Sequence, residues 1–249
     1  MHDLIRKLLR RLGFELHRYT IQTSPAAQRA RLIERLAIDL VLDVGANAGQ
    51  YAKDLRAHGY SGRIVSFEPL ASAHASLARL ARSLPGLEVA PRMALGESEG
   101  EITLHVAGNS LSSSVLAMLP EHEAAAPGSA MVGAETVSLR RLDQTAGAYL
   151  KGASAVLLKL DTQGYEDRVL DGATGVLGKI AAIQTELSVV PLYAGQLLFD
   201  DMRAKLDAMG FTLVALFPGY VHAVTGQTLQ IDGFFVRSNL AQTMTRNAE

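Results

Sequence analysis

A glycine-rich turn follows a short apolar run in VLDVGANAGQY, at positions 41–51. Gly45 permits a sharp turn, and asparagine, present at position 47, is among the few side chains that tolerate positive φ. Gly49 would let the following helix lie close. The dinucleotide-binding pattern G-x-G-x-x-G, counted from Gly45, requires glycine where this chain has Asn47 and Gln50. The turn can therefore hold a ligand at a strand end, but it does not favour a pyrophosphate.

Two carboxylates stand at the ends of the first two predicted strands. Asp43, in the turn sequence, would repel a phosphate and attract an ammonium group. Glu68 ends RIVSFEP and lies 23 residues after Gly45, and an acid at about this spacing accepts hydrogen bonds from ribose hydroxyls. Together, the turn and the two acids indicate a ligand with a ribose, an amino-acid end and no pyrophosphate. S-adenosylmethionine meets all three requirements.

Two further acids end later predicted strands. Asp161 follows AVLLKL, and Glu186 follows IAAIQT, so the two should lie side by side at one sheet edge. Asp161 is the first candidate for a general base or substrate anchor, with a helix cap as the alternative role. The two carboxylates could instead bind Mg²⁺, which takes oxygen ligands. We do not favour this metal, because the sequence offers no obvious third ligand.

Two other residues are weaker candidates for the same site, and a third has no role that the sequence assigns. Tyr193, in VVPLY, would lie on a loop over the same sheet edge and stack on or bind a substrate. His222, in the late part of the chain, is a second candidate base, with a solvated loop histidine as the alternative. Lys159 lies inside an apolar strand and could pair with a carboxylate such as Asp143, or extend to an edge.

The elements that must position these residues alternate between strands and helices. Predicted strands include LVLDVG, RIVSFEP, LEVAPRMALG, AVLLKLD and IAAIQTEL, and predicted helices include GQYAKDLRAHG, SAHASLARLARSL, residues 165–177 and FDDMRAKLDAMG. This alternation predicts an α/β fold, with a mostly parallel sheet and helices on both faces. FTLVALF and QIDGFFVR have no helix between them, so we predict a C-terminal hairpin whose last strand is antiparallel. EITLHVAG would be an extra strand or hairpin arm.

The composition suits one globular domain with a full core, since the chain has 249 residues and is 48% hydrophobic. A formal net charge of −1 gives no general reason to expect a nucleic-acid partner. Cysteine is absent, which excludes disulfides and thiolate metal sites. No apolar run approaches the roughly 20 residues of a membrane span, and no signal-peptide pattern is present, so we expect a cytoplasmic protein.

The N-terminal sequence DLIRKLLRRLGFELHR is basic and amphipathic. Apolar residues share one helical stripe, and basic residues occupy the other side: Leu4, Ile5, Leu8, Leu9, Leu12 and Leu16 against Arg6, Lys7, Arg10 and Arg11. One interpretation is a helix packed on the domain or on a second copy in a homodimer. The other is peripheral contact of residues 4–16 with the inner face of a membrane.

We divide the chain into an N-terminal helical extension at 1–38, a main domain at 39–240 and a flexible tail at 241–249. A second helix is predicted from Pro25 to Ala37, with Ser24 as its cap. Residues 107–135 are rich in Gly, Ser, Ala and Pro without a clean period. Long connections are uncommon in compact domains, so this segment is either a surface connection or a lid.

Several motifs resemble those of FkbM-type methyltransferases, in the expected order over residues 41–237: DVGANAGQY, FEP, ALGESEGEITLHV, SLSSSV, LKLDTQGYEDRVLDGA and DGFFVR. The resemblance implies a class I methyltransferase with a Rossmann-like sheet that depends on S-adenosylmethionine. It also implies O-methylation of a hydroxyl on a small-molecule or glycan acceptor, such as a sugar, a glycolipid or a polyketide-like compound.

The resemblance also implies roles for individual residues. The turn residues would surround the methionine end of the cofactor, Glu68 its ribose and the residues after the third strand its adenine. The implied cofactor-binding residues are Asp43, Gly45, Ala46, Asn47, Gly49, Tyr51, Glu68, Met93 and Ala94. The implied substrate-binding residues are Ser113, Ser114, Gln163 and Tyr193.

Two other functions compete with methyl transfer. A non-catalytic nucleoside-binding module could keep the same fold, although intact acids at the strand ends argue against it. A short-chain NAD(P)-dependent oxidoreductase pairs a catalytic tyrosine with a lysine four residues on. Tyr149 is followed at that spacing by Ala153 and Tyr165 by Val169, which argues against an oxidoreductase.

Overall fold

The computed structural model describes residues 2–126 and 128–246. The strands of these ranges are β1 (Leu40–Val44), β2 (Arg63–Phe67), β3 (Leu87–Val89), β4 (Ala94–Leu95), β5 (Gly100–Ala107), β6 (Met131–Arg140), β7 (Val156–Leu160), β8 (Ile180–Ser188), β9 (Phe211–Pro218) and β10 (Gln230–Arg237). The α-helices are α1 (His2–Arg11), α2 (Pro25–Arg35), α3 (Gln50–Ala57), α4 (Ala71–Ala81), α5 (Pro120–Ala125), α6 (Leu142–Thr145), α7 (Glu166–Asp171), α8 (Phe199–Ala208) and α9 (Ser238–Arg246).

The main sheet contains seven strands in the order β3-β2-β1-β7-β8-β10-β9. Neighbouring strands from β3 to β8 are parallel, whereas β10 is antiparallel to both β8 and β9. This arrangement confirms the predicted mostly parallel sheet and its antiparallel last strand. From β1 the chain builds outward through β2 and β3, and it later resumes on the other side at β7. The carboxyl ends of β1 and β7 therefore flank the point where strand order reverses, and ligands of such sheets bind there.

Helices cover both faces of the sheet, as predicted. Leu40, Leu42 and Val44 belong to one hydrophobic cluster, together with residues of α7 and α8. Val41 belongs to a second cluster, with residues of α2, α3 and α9. Successive residues of a strand point to opposite faces, so this division means that β1 is buried on both sides.

A small second sheet, in the order β4-β6-β5, lies outside the predicted architecture. β5 is the extra strand expected from EITLHVAG, but β6 was not predicted. Residues 107–135 leave β5 at Ala107, form a short 3-10 turn and α5, and enter β6 at Met131. The connection between strands is therefore shorter than the predicted 107–135, because its last residues belong to β6.

Two helix predictions need correction. The helix expected over 165–177 ends at Asp171, and a Cβ on Gly172 would lie 1.9 Å from the backbone oxygen of Gly96. That close approach requires glycine at this position. After Gly172 the chain continues as turns and a short 3-10 helix at Leu177–Lys179. The tail expected from residue 241 is instead helical through Arg246 in α9, while residues 247–249 lie outside the described residues.

The N-terminal extension forms α1 and α2. α2 begins at Pro25 as predicted, and the Ser24 hydroxyl accepts a hydrogen bond from the Ala27 N–H at 3.3 Å. α1 does not pack its apolar stripe on its own domain, since Leu8 is 59% exposed and Leu12 65%. None of the described helices is long and apolar enough to cross a membrane.

Candidate functional site

A cavity of about 400 Å³ opens at the carboxyl ends of β1, β2 and β7. Most residues that the sequence singled out line this one cavity: Asp43, Gly45, Ala46, Asn47, Tyr51, Glu68, Met93, Ala94, Ser113, Ser114, Asp161, Gln163 and Glu186. Gly49, Tyr193 and His222 are not among its lining residues. The fold thus brings residues from distant parts of the chain together at the predicted sheet edge.

The turn after β1 depends on glycine. Gly45 has φ +78°, and a Cβ there would lie 1.8 Å from the backbone oxygen of Asp161. Asn47 also has positive φ, at +45°, as the sequence predicted. Gly49 has φ +84°, and a Cβ there would lie 2.4 Å from a Leu80 methyl group on α4. Gly49 therefore serves packing between elements, which corrects its expected place at the ligand.

Glu68 is held rigidly at the end of β2. Its carboxylate accepts the Asn47 N–H and the Leu70 N–H, each at 2.7 Å. The side chain is buried, and burial raises the pKa of Glu68 to about 7 against the opposing effect of the two N–H donors. The carboxylate is thereby fixed against the turn of β1 while its edge faces the cavity.

Lys159 is buried and lies among several acids. Its Nζ is 3.3 Å from Asp161 Oδ2 and donates to the backbone oxygen of Leu160 at 3.1 Å. Burial lowers the pKa of Lys159, but the carboxylates of Asp161, Asp232 and Glu186 outweigh that effect and raise it above its usual value. Lys159 is therefore a charged ammonium in the wall of the cavity.

Asp43 is the cross-strand neighbour of Lys159 on β1 and is buried. Its carboxylate accepts the Ser66 hydroxyl at 3.1 Å. Burial raises the pKa of Asp43 to about 6, and the positive charge of Lys159 limits the rise. The suggested pairing of Lys159 with Asp143 is wrong, since Asp143 forms its ion pair with Arg141.

Gln163 connects the two candidate catalytic acids. Its Nε2 donates to Asp161 Oδ1 at 2.8 Å and to Glu186 Oε2 at 2.9 Å. The backbone of Gln163 has φ +56°, a strained conformation for a residue other than glycine, and such strain is common at functional sites. Burial, followed by repulsion from Asp161, raises the pKa of Glu186 well above its usual value. Among the described residues, no group of three His, Cys, Asp or Glu side chains could hold a metal ion.

Asp161 does not act as a helix cap. The residue before α7 is Tyr165, and no side chain caps this helix end. The neighbouring loop is held instead by Glu166, which accepts the Thr162 N–H at 2.7 Å and the Gly164 N–H at 3.0 Å. The Asp161 side chain remains 38% exposed at the cavity, with Lys159 and Gln163 as its partners.

The structure corrects the predicted roles of Tyr193 and His222. Tyr193 is buried, and its hydroxyl lies between the Ser112 backbone oxygen at 3.1 Å and Gln163 Oε1 at 2.9 Å. It supports Gln163 from behind and does not face the cavity. His222 lies in the loop between β9 and β10, where Nδ1 accepts the Val224 and Thr225 N–H groups. This ring stabilises a turn outside the site.

Residues 109–115, in the segment predicted as a lid, close one side of the cavity. The Ser110 hydroxyl lies 3.2 Å from Asn47 Nδ2, which joins the segment to the turn of β1. Ser113 Oγ accepts the Ala107 N–H, and Ser114 Oγ donates to the Gln163 backbone oxygen at 2.7 Å. The two predicted substrate residues thus line the cavity with hydroxyls that also hold the segment in place.

Sequence reasoning missed His122 and Tyr220, which also line the cavity. His122 lies on α5, and its Nε2 is 3.1 Å from Ser112 Oγ. In the described part of the chain, His122 Nδ1 and the Tyr220 hydroxyl are buried without a hydrogen-bond partner. Burial lowers the pKa of His122, so the imidazole is neutral at pH 7. The composition of residues 107–135 identified the segment but could not identify this residue.

Comparison with known proteins gives one family. The model described as Methyltransferase FkbM domain matches residues 43–213. No curated protein matches the sequence.

Similar solved structures include three with distant sequences. TehB from Haemophilus influenzae aligns with a TM-score of 0.47 and 9% identity, over 85% of this chain and 60% of that protein. Magnesium protoporphyrin IX methyltransferase from Synechocystis PCC 6803, solved with bound S-adenosylmethionine, has a TM-score of 0.44 and 10% identity, over 95% and 96%. Fibrillarin from Aeropyrum pernix, solved with the same compound natively bound, has a TM-score of 0.43 and 10% identity, over 80% and 66%.

Proposed function

The chain belongs to the FkbM methyltransferase family, and we propose that it methylates a hydroxyl of a sugar, glycolipid or polyketide-like acceptor with S-adenosylmethionine. The observation that carries this proposal is one cavity lined by acids from both sides of β1. Glu68 follows β2 on one side and is fixed by two backbone N–H groups, and Asp161 follows β7 on the other side and shares the Gln163 amide with Glu186. Such a cavity suits a nucleoside and an acceptor hydroxyl in the same enclosure.

The cofactor end is suited to a ribose and an amino-acid group. Because both Glu68 oxygens are already held by N–H donors, the carboxylate is oriented before a ligand arrives, and its remaining lone pairs can accept ribose hydroxyls. The buried Asp43 contributes negative charge beneath the turn that would hold the ammonium end. Met93 and Ala94 give an apolar wall for the adenine ring. When bound, S-adenosylmethionine supplies a methyl group attached to positively charged sulfur.

At the acceptor end, Asp161 is the proposed base or anchor. An acceptor hydroxyl that attacks the methyl group must lose its proton or hold it in a strong hydrogen bond. Asp161 presents a partly exposed carboxylate at the cavity, and Gln163 and Lys159 fix its two oxygens. Orientation of this kind contributes to catalysis because it holds the reacting groups in line.

We propose that the positive charge of Lys159 offsets the carboxylate charges of the site, as a bound metal ion would. The site brings Asp43, Asp161 and Glu186 close together, and like charges repel. The buried ammonium offsets this repulsion from within the chain, 3.3 Å from Asp161. The Gln163 amide also lies between the two carboxylates, because it donates to both Asp161 and Glu186. We therefore expect Mg²⁺ to be unnecessary for turnover.

The acceptor side also contains two polar groups that lack partners. His122 Nδ1 and the Tyr220 hydroxyl are buried at the cavity wall, and a buried polar atom without a hydrogen bond costs about 1–3 kcal/mol. An acceptor with several hydroxyls can supply the missing partners after a small shift of this wall. This observation favours a hydroxyl-rich acceptor over an apolar one.

The direct test of the proposed chemistry is Asp161→Asn. The substitution keeps the size of the side chain and removes its charge, so S-adenosylmethionine affinity should stay within a few-fold. Transfer of radiolabelled methyl to a panel of hydroxylated acceptors should fall by about 10²–10⁴-fold, the range for loss of a general base. Asp201→Asn, an exposed acid on α8, is the matched control.

Two outcomes would contradict this assignment. Turnover of Asp161→Asn at the wild-type rate would remove Asp161 from the chemistry. Loss of wild-type activity in EDTA, with recovery on addition of Mg²⁺, would make Asp161 and Glu186 metal ligands and would remove the charge-balancing role of Lys159.

A further inference from the structure

The segment from residue 5 to residue 18 exposes large apolar side chains that no described hydrophobic cluster includes. The exposed fractions are 45% for Ile5, 59% for Leu8, 65% for Leu12, 66% for Phe14 and 56% for Leu16. Isolated exposed apolar residues need no explanation, but a contiguous set on one short segment indicates an interaction surface.

The local structure keeps these side chains on one side. At about 100° per residue, Ile5, Leu8 and Leu12 fall within one narrow arc of the helix. The helix ends at Gly13, which has φ +81°, and the Phe14 N–H bonds back to the Leu9 carbonyl at 2.8 Å. This is a Schellman termination, which turns the chain sharply and defines where the helix ends. The apolar surface therefore has a defined shape.

The opposite side of the same segment is basic. Lys7, Arg10, Arg11 and Arg18 are all exposed. Residues 1–18 hold five Lys or Arg and two Asp or Glu, a net charge of +3, in a chain whose net charge is −1. The positive charge is thus concentrated in this segment and is not a property of the whole molecule.

We infer that residues 5–18 dock the protein on an anionic lipid bilayer, with the apolar side chains in the interface and the basic ones near lipid phosphates. Charge complementarity favours an anionic bilayer over a second copy of the chain. A helix lies in a membrane surface when its apolar face enters the headgroup boundary and its basic residues meet anionic lipids. A second copy of this chain would instead bring two segments of charge +3 together, where they repel.

The inference does not depend on the proposed acceptor or on the chemistry at Asp161, because it rests only on exposed residues outside the cavity.

The test is co-sedimentation of the full chain with vesicles of phosphatidylcholine alone or mixed equally with phosphatidylglycerol. Wild type should bind the mixed vesicles, bind pure phosphatidylcholine much more weakly, and lose affinity as salt screens the charges. The triple variant K7Q/R10Q/R11Q should bind mixed vesicles about 10²-fold more weakly, since each basic residue near an anionic surface contributes about fivefold.

A second variant tests the apolar contribution, and a control tests specificity. L8S/L12S should lose at least about tenfold in vesicle affinity while the charge is unchanged. K53Q/K151Q/K179Q removes three exposed lysines elsewhere and should bind like wild type. S-adenosylmethionine affinity, measured on every variant, should be unchanged, so failure of vesicle binding is separable from failure of the proposed function.

Three results would overturn the inference. These are absence of wild-type binding to mixed vesicles, equal weakening by K7Q/R10Q/R11Q and the control triple, and a wild-type dimer that L8S/L12S converts to monomer without any vesicle binding. The last result would assign the apolar surface to a second copy of the chain.

Discussion

Glu68→Gln is the substitution that separates charge from shape at the cofactor end of the cavity. In wild type, one carboxylate oxygen accepts the Asn47 N–H and the other the Leu70 N–H, both at 2.7 Å. Glutamine has one acceptor oxygen, so one buried N–H loses its partner at a cost of about 1–3 kcal/mol of stability. The charged acceptor for ribose hydroxyls is lost as well. Hydrogen bonds to a charged group contribute about 1.5–3 kcal/mol, so affinity should fall about 10–150-fold.

The pKa of Glu68 adds a second measurable signature. Its pKa is raised to about 7, and a ribose binds better to the ionised carboxylate. Lowering the pH from 8 to 6 protonates Glu68 in the free protein, so affinity for the cofactor should fall about tenfold over that interval. Glu68→Gln has no carboxylate to protonate, so the tenfold loss of cofactor affinity between pH 8 and pH 6 should be absent from this variant.

The assay is isothermal titration with S-adenosylmethionine and with its demethylated product, at pH 8 and pH 6. Glu88→Gln is the matched control, because Glu88 is an exposed acid on β3 that does not line the cavity. Denaturation by urea checks that the variant remains folded at the temperature of titration. Equal cofactor affinity in wild type and Glu68→Gln at pH 8 would refute the ribose assignment, as would the same pH dependence in both proteins.

Two further predictions concern Lys159 and His122. Lys159→Met should lower stability, because the buried Asp43 loses its positively charged neighbour. The loss should be smaller than the roughly 3–5 kcal/mol of a fully buried pair, because the Asp161 side chain is 38% exposed. Burial raises the folded-state pKa of Asp43 to about 6, so the free energy of unfolding falls as pH rises toward that value. Without Lys159 the pKa of Asp43 should rise further, so urea denaturation of Lys159→Met should show a larger loss of stability between pH 6 and pH 8 than wild type shows. An equal loss in both proteins would contradict the charge-balancing role of Lys159. His122→Phe keeps a ring beside Tyr193 and removes the unpartnered nitrogen. It should raise the KM for a hydroxyl-rich acceptor about tenfold while S-adenosylmethionine affinity stays constant, and an unchanged KM in steady-state kinetics would show that His122 does not contact the acceptor.

The parts of the fold that the sequence predicted are those with strong local patterns. β1 and β7 are apolar except for Asp43 and Lys159, because both faces of the sheet are covered. The turn after β1 was predictable because Gly45 adopts positive φ. β6 has no such pattern. Only Val137 and Leu139 of its residues are buried, so the contrast between its two faces is too weak to read from the sequence.

The site was predictable where a residue ends a strand, and less so where tertiary contacts decide. Glu68 and Asp161 directly follow β2 and β7, and Asp43 lies one residue before the end of β1, so parallel strands that end together bring them to one edge. Glu186 lines the same cavity but does not end its strand as predicted, because β8 continues to Ser188. The position of Tyr193 could not be inferred in this way, because its burial depends on contacts with Ser112 and Gln163, which are remote in sequence.

Segment 107–135 shows the same limit at a larger scale. Its composition predicted a lid, and residues 109–115 do cover the cavity. Which of its side chains face the cavity depends on where α5 packs, and α5 packs against residues that lie far along the chain, such as Leu192 and Leu229. His122 therefore emerged only from the structure.

The central claim, that this cavity binds S-adenosylmethionine, is tested most directly by titrating the purified chain with that compound and, separately, with NAD⁺. The account predicts saturable micromolar binding of S-adenosylmethionine and of its demethylated product, with no measurable heat from NAD⁺. Binding of NAD⁺ with no binding of S-adenosylmethionine would contradict the account, because the turn around Gly45 and Asn47 would then hold the pyrophosphate that its sequence argues against.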